Sequence, residues 1–263
     1  MVTALYSLIM LCAIISCSFL LRKYQRELTL SPREKLVLGM AAFVGAMIGA
    51  KLPFVIVDRE NWLTGISWLS DGKTIMFGIV GGYFAVVFAK WLLGIRQKTG
   101  DSFALPVAIG VAIGRLACFS VGCCYGTPTL LPWGIHFSAI DSDPAVFRHP
   151  TQIYEALFHF TCALFLFFAW RKLYRSNHNG GKFVYWCHGN LLKIYLIAYL
   201  AFRFLTEFIR PEPTLWGQLS VYQIAAALIL PIFVFLWLNE IRIRYQLLQN
   251  SLALKSDNHS DDK

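Results

Sequence analysis

Apolar runs of similar length recur along the chain, separated by short polar or basic segments. Seven of them, at about residues 3–21, 36–57, 75–94, 102–122, 151–170, 189–209 and 218–240, approach the ~20 residues that a helix needs to cross a bilayer. The pattern predicts an all-α fold: a polytopic membrane protein, a seven-transmembrane helix bundle with a longer outer loop between spans four and five. One integral-membrane domain, 1–249, takes in nearly every residue. The polar tail at 250–263, ending Ser-Asp-Asn-His-Ser-Asp-Asp-Lys, reads as disordered. The first apolar run has no basic segment ahead of it and is followed at once by Arg22-Lys23, so it reads as a permanent span and not as a cleaved signal peptide.

Composition agrees, with 57% hydrophobic and only 15% charged residues and a mean hydropathy of +0.54, too apolar for an ordinary soluble domain. The net charge of +9 raises the question of nucleic acid, which the placement of the charge answers. Arg22, Lys23, Arg26, Arg33 and Lys35 follow the first span. Lys90, Arg96 and Lys98 end the third, Arg171, Lys172, Arg175 and Lys182 follow the fifth, and Arg242, Arg244, Lys255 and Lys263 follow the seventh. The opposite loops hold only Arg59, Lys73, Arg148 and Arg210. By the positive-inside rule the N-terminus lies outside and the C-terminus in the cytoplasm. The basicity reports topology; the expected partner is the bilayer, with no nucleic acid, and the chain is read as a monomer.

Small residues recur at helix-packing intervals. Gly45 and Gly49, Gly78 and Gly82, and Gly110 and Gly114 share the spacing that lets helix backbones approach closely in lipid. The loop from about Cys123 to Pro150 carries Gly126, Pro128, Pro132, Trp133, Gly134 and Pro144, a turn-rich composition. It caps the outer end of the bundle, and Trp133 and Trp216 read as interfacial aromatics. Of seven cysteines, Cys12, Cys17 and Cys162 fall inside spans, where they pack, and Cys187 falls on the reducing side. Cys118, Cys123 and Cys124 cluster near the outer end of span four, but no ligand spacing points to a metal.

Candidate chemistry begins with charges that lipid does not tolerate. Lys51 and Lys193 lie near span ends, where a lysine snorkels to the interface. Arg115 and Arg203 are each about a dozen residues from the cytoplasmic start of their helices, roughly 18–20 Å deep. An arginine there costs about 2.5–3.5 kcal/mol on insertion scales, so each must face protein, water or an anion. A structural ion pair is the plain alternative to a site. Arg203 has Glu207 four residues on, with Tyr199 and Arg210 along the same ridge. Arg115 has no acid at helical spacing in its own span; Glu155 or a lipid phosphate would serve it. His159, one turn beyond Glu155, reads as a hydrogen-bonded core histidine. Arg115, Arg148, Arg203 and Arg210, converging on the outer leaflet, would form a cationic pocket for a phospholipid headgroup, since guanidinium groups bind phosphate bidentately.

Three blocks carry a resemblance to a known family. Gly114-Arg115-Leu116-Ala117-Cys118-Phe119, reading on through Gly122 and Gly126, looks like a Gly-Arg-x-Gly-Asn-Phe signature. Arg148-His149-Pro150-Thr151-Gln152-Ile153-Tyr154-Glu155 is similar to an Arg-His-Pro-Ser-Gln-Leu-Tyr-Glu block, and Tyr199 to Arg203, continuing through Glu207, Phe208, Arg210 and Pro211, looks like a Tyr-x-x-x-Arg helix and the Glu-Phe-x-Arg after it. With Asp101 and Tyr6 at matching places, the chain resembles the bacterial prolipoprotein diacylglyceryl transferases. The resemblance implies seven spans, the plasma membrane, and transfer of diacylglyceryl from phosphatidylglycerol to the lipobox cysteine of a prolipoprotein signal peptide, without metal or soluble cofactor. Carried onto this chain, it gives Arg115, Arg203, His149 and Glu155 as catalytic residues and Tyr199, Arg148, Tyr154, Glu207, Arg210 and Gly126 as substrate-binding ones.

The departures concern the base. Where the family has His-Gly-Gly this chain has Met76-Phe77-Gly78, and its first histidine is His136; Cys118, Val121 and Cys123 replace two asparagines and a glutamate. His149 and Glu155, with Lys73 a third candidate, are left to activate a thiol. Two other readings keep the pocket: a related transferase with a different acceptor, and a non-catalytic phospholipid-binding protein.

Overall fold

The computed structural model describes residues 2–57, 74–138, 140–174, 182–216 and 219–261. Arg59, Lys73 and Arg175 lie outside the described residues. The chain divides into two compact units, Met1–Val121 and Gly122–Lys263, which are taken in turn.

The first unit holds four helices: α1 (Val2–Tyr24), α2 (Pro32–Val57), α3 (Ile75–Leu92) and α4 (Gly100–Ser120). Proline at the first helical position opens α2, and Ser31 and Glu34 close a reciprocal capping box. The Ser31 N–H donates to Glu34 Oε2 at 2.7 Å and the Glu34 N–H to Ser31 Oγ at 3.3 Å. α2 packs on α3 and α1 on α4.

The α2–α3 seam depends on glycine. A methyl on Gly81 would sit 2.5 Å from the Gly45 carbonyl and 3.0 Å from Gly49 Cα, and one on Gly49 would sit 2.4 Å from the Phe77 carbonyl. Gly110 and Gly114 do not form a comparable seam. Among the described residues a methyl on Gly110 meets only Cys17, at ordinary contact distance, and one on Gly114 meets nothing within 4 Å. Gly81→Ala is therefore expected to lower the apparent melting temperature of the purified protein by an overpacking penalty of about 1–3 kcal/mol, whereas Gly114→Ala leaves it unchanged. Thermal-shift measurement of the two variants side by side checks this. Lys51 is only 6% exposed, so it is buried and does not snorkel.

The second unit holds the loop that follows Val121, then α5 (Thr151–Tyr174), α6 (Lys182–Cys187), α7 (Leu191–Thr206), a two-stranded antiparallel hairpin, β1 (Thr214–Trp216) with β2 (Leu219–Ser220), and α8 (Val221–Asp261). α7 packs along α8 and also touches α5. Leu196, Leu200, Ala226 and Phe233 are fully buried there. At its basic end Lys193 is held by Glu240 and, at 3.0 Å, by Asn190 Oδ1, so this lysine too is paired and does not snorkel. The Tyr185 hydroxyl donates to the Ile241 carbonyl at 2.7 Å and Trp237 Nε1 to that of Trp186 at 3.1 Å, tying α6 to α8.

The architecture is the expected helical membrane bundle. Among the described residues six helices are long and apolar enough to cross a membrane. The sixth expected span, 189–209, is the 16-residue α7 continued by a 3₁₀ turn, Glu207–Ile209. Gly189, at a φ of +72°, separates it from α6. Its sixteen residues rise about 24 Å and the 3₁₀ turn adds about 6 Å, together close to the ~30 Å hydrocarbon layer. α8 continues to Asp261, over the polar segment expected to be disordered.

Candidate active site

Within the second unit, polar side chains from α5, α7, the 3₁₀ turn and the hairpin meet in a buried cluster. Glu155, on the second turn of α5, is fully buried. Its Oε1 accepts from Arg203 Nη1 at 3.2 Å and from Arg210 Nη2. Arg203 Nη2 lies 2.8 Å from Glu207 Oε2, the partner its helical spacing offers, and the Arg203 guanidinium stands over the Tyr222 ring at 5.2 Å. Two arginines thus face two glutamates. Arg210 Nε is buried and has no hydrogen-bond partner among the described residues.

Ser220 holds the far side of Glu207. Its hydroxyl donates to Glu207 Oε1 at 2.8 Å and accepts from the Gln223 N–H at 3.2 Å, while Gln223 Oε1 accepts from the Ser220 N–H at 2.9 Å. This is a capping box at the start of α8. The same residues that begin a helix fix the carboxylate orienting Arg203.

Below the cluster an aromatic layer excludes water. Phe158 stacks on Phe202 with centroids 4.0 Å apart, and Tyr199, 1% exposed, lies 4.9 Å from the His159 ring. His159 is fully buried, with Nδ1 2.9 Å from the Tyr195 hydroxyl, the core position its sequence setting suggests.

The loop 122–150 is tied down by backbone bonds. Gly126 N–H donates to the His149 carbonyl and Thr127 N–H to that of Ile209, both at 2.9 Å, and Arg148 exchanges bonds with Ile135. A methyl on Gly126 would lie 2.6 Å from His149 Cβ and 2.7 Å from the Ile209 carbonyl; glycine here lets three segments touch. Thr151 Oγ1 and Gln152 Nε2 each donate at 2.6 Å to the carbonyls of Cys124 and Cys123, supporting a Cys124 whose φ of +62° is strained for a residue with a side chain.

Arg148 belongs to this loop more than to the cluster. It binds Asp141 bidentately, both contacts at 2.7 Å, and lies 5.0 Å over the Tyr125 ring. The hydrogen bonds from Arg148 hold the Asp141 carboxyl below the usual carboxylate range. A carboxyl depressed in the folded state contributes stability that is full above its unfolded pKa, about 3.9, and is lost as pH falls through the folded value. Limited proteolysis of the loop is therefore expected to accelerate only as pH drops below about 4, and Asp141→Asn is expected to be loosened already at neutral pH. His149 is half-buried, its Nδ1 3.3 Å from the Tyr154 hydroxyl, which also accepts from Trp133 Nε1 at 2.8 Å.

The structure thus brings together Glu155, Arg203, Glu207 and Arg210, sets Tyr199 in the aromatic layer with Phe158 and His159, and places Gly126 and His149 in the loop before α5 with Tyr154 on the first turn of that helix. Glu155, which the sequence reading offers to Arg115, is bound by Arg203 and Arg210. Arg115 belongs to α4 of the first unit, where it is buried at 6% exposure. Asp141, Gln152, Ser220 and Gln223 were not singled out as site residues. Ser220 and Gln223 carried a signal, the capping-box spacing, and Gln152 stood inside a recognised block; Asp141 carried none.

An apolar helical bundle with a buried arginine–carboxylate cluster is that of an integral-membrane protein built around polar chemistry. The chain matches the sequence model of the prolipoprotein diacylglyceryl transferases over residues 2–239, and it belongs to that family of enzymes. It is 32% identical over 208 residues to the phosphatidylglycerol–prolipoprotein diacylglyceryl transferase of Clostridium tetani, covering 75% of this chain and 78% of the relative. The enzyme of the same name from Solidesulfovibrio magneticus is 36% identical over 212 residues, 74% of this chain and 72% of the relative. That of Gloeobacter violaceus is 28% identical over 253 residues, covering 89% and 88%.

Proposed function

We propose that the protein moves the diacylglyceryl group of phosphatidylglycerol onto the cysteine thiol of a lipobox peptide, the first step of lipoprotein maturation, at the outer face of a bacterial plasma membrane. The observation that carries this reading is the pair Arg203 and Arg210 around one buried glutamate, with an Arg210 N–H that has no partner among the described residues, inside a chain of this family. The positions of Lys and Arg support an outside N-terminus and a cytoplasmic C-terminus. The extent of the family match supports treating 1–249 as one transferase domain.

In this mechanism the thiol gives its proton to a base and the thiolate attacks the glyceryl carbon. The carbon–sulfur bond forms, the carbon–oxygen bond to phosphate breaks, and glycerol phosphate leaves with the electron pair. Arg203 holds the phosphate and offsets the charge on the leaving group, Arg210 and Tyr199 place the headgroup, and Glu207 and Glu155 orient the two arginines. His149 acts as base through Nε2 when its Nδ1–H is donated to Tyr154. Tyr154, Arg148 and Gly126 shape the loop against which the peptide binds. The protein works as a monomer and needs no metal or cofactor.

The test is direct: purified protein in phosphatidylglycerol vesicles is given a lipobox peptide. A thioether-linked diacylglyceryl peptide and equimolar glycerol phosphate are expected. The absence of histidine at Met76-Phe77-Gly78 favours one rival, a different acceptor. Glycerol phosphate released without peptide modification would establish that rival, and lipid binding without release would establish a non-catalytic role.

A further inference from the structure

We propose that the first unit carries a separate binding site for an anionic phospholipid, at the basic end of α1 and α2. A cleft of about 660 Å³ there is lined by Arg22 of α1, by Gln25 and Arg26 of the 3₁₀ turn after it, and by Lys35, Met40 and Phe43 of α2. That volume suits a headgroup and the start of an acyl chain. Its chemistry is divided along its length. Arg22, Arg26 and Lys35 supply three positive charges, and no carboxylate is among the lining residues. The nearest acid on α2, Glu34, is committed to the Ser31 N–H.

One turn further into the bilayer the wall becomes Gly39, Met40, Phe43 and Val44. Met40 and Phe43 are 58% and 68% exposed, which an acyl chain would cover. Gln25, in the 3₁₀ turn after α1 and between Arg22 and Arg26 in the chain, is 92% buried, and its amide nitrogen has no hydrogen-bond partner among the described residues. An unsatisfied buried donor beside three cations is a place for a phosphate oxygen. A basic pocket between membrane helices recognises phospholipid headgroups through these same contacts. The phosphate sits between Arg22, Arg26 and Lys35, one ester oxygen near Gln25, with an acyl chain along Gly39 and Phe43. The site contains no residue of the proposed transferase machinery, so it is a second lipid site, holding a lipid that is not consumed.

Photocrosslinking tests it. The full chain is placed in phosphatidylcholine nanodiscs doped with phosphatidylglycerol or phosphatidylcholine bearing a diazirine in one acyl chain, and adducts are mapped by mass spectrometry. Labelling of residues 36–44 is expected to be at least about tenfold higher with the anionic probe. That excess should fall to the phosphatidylcholine level in R22Q/R26Q/K35Q, with labelling elsewhere unchanged. It should also fall in the unaltered protein as ionic strength is raised, an arm that does not depend on how the variant folds. Equal labelling by the two probes in the unaltered protein, or an excess indifferent to salt, would overturn the proposal and leave an ordinary annular lipid.

Discussion

Arg203→Ala is expected to lower the rate of glycerol phosphate release from phosphatidylglycerol by about 10²- to 10³-fold, the range found when one preorganised donor to a developing anion is removed. The protein should lose stability, since Glu207 gives up a buried cationic partner, but stay folded, because the neighbours of Arg203 keep other partners. Glu155 retains Arg210, and Glu207 retains Ser220. Arg203→Lys sharpens the test. It preserves the charge but not the planar fork that spans Glu155 and Glu207 3.2 and 2.8 Å away, and a lysine is not equivalent at a bidentate site. Its rate should lie between those of alanine and arginine, with a melting temperature near that of the unaltered protein. Initial rates in vesicles with a lipobox peptide, read beside thermal unfolding, check both variants. A rate for Arg203→Ala within a few-fold of the unaltered protein would remove Arg203 from the chemistry and make the cluster a structural ion pair.

The helices were legible in the sequence because lipid leaves a chain few choices: a long apolar run there closes its own hydrogen bonds as a helix. Arg203 was legible for the same reason, since a charge in such a run demands a partner, and Glu207 is the one its helix supplies. What hydropathy does not specify is which distant segment answers. Nothing in the spacing of Glu155 shows that it receives both Arg203 and Arg210, because that pairing depends on how the short α7 and its 3₁₀ turn bring residues 203 and 210 to the same oxygen. The ends and the inner break of that span are less legible, because Gly189, Asn190 and Glu207 count little in an averaged hydropathy, although Gly189 and Asn190 break the helix locally and the helix gives way to a 3₁₀ turn at Glu207. Arg148 shows the opposite failure. It stands in a strongly matched block, yet its fork is taken by Asp141, seven residues earlier in an irregular loop, where no periodicity signals the contact.

Glu155→Ala is expected to destabilise the protein by about 3–5 kcal/mol, the cost of removing one partner from a buried ion pair. Arg203 would still have Glu207, but Arg210, whose side chain is 5% exposed, would lose the only carboxylate it is paired with among the described residues and could not reach water without opening the turn. Glu155→Gln should fall between, since an amide oxygen accepts both guanidinium bonds without neutralising either. The double variant E155A/R210A should recover part of the loss, because it removes the orphaned charge along with its partner; the shortfall from additivity measures their coupling. Thermal unfolding of the unaltered protein, Glu155→Ala, Arg210→Ala and the double variant in one detergent gives that number. The size of the effect follows from the solvent. Lipid offers helices no hydrophobic reason to associate, so close packing and polar links between them bear that task. In the first unit the link is the glycine seam of α2 and α3. In the second, Glu155 fastens α5 to α7 and to the turn beyond it, so the residue that orients the arginines for phosphate also holds their helices in place.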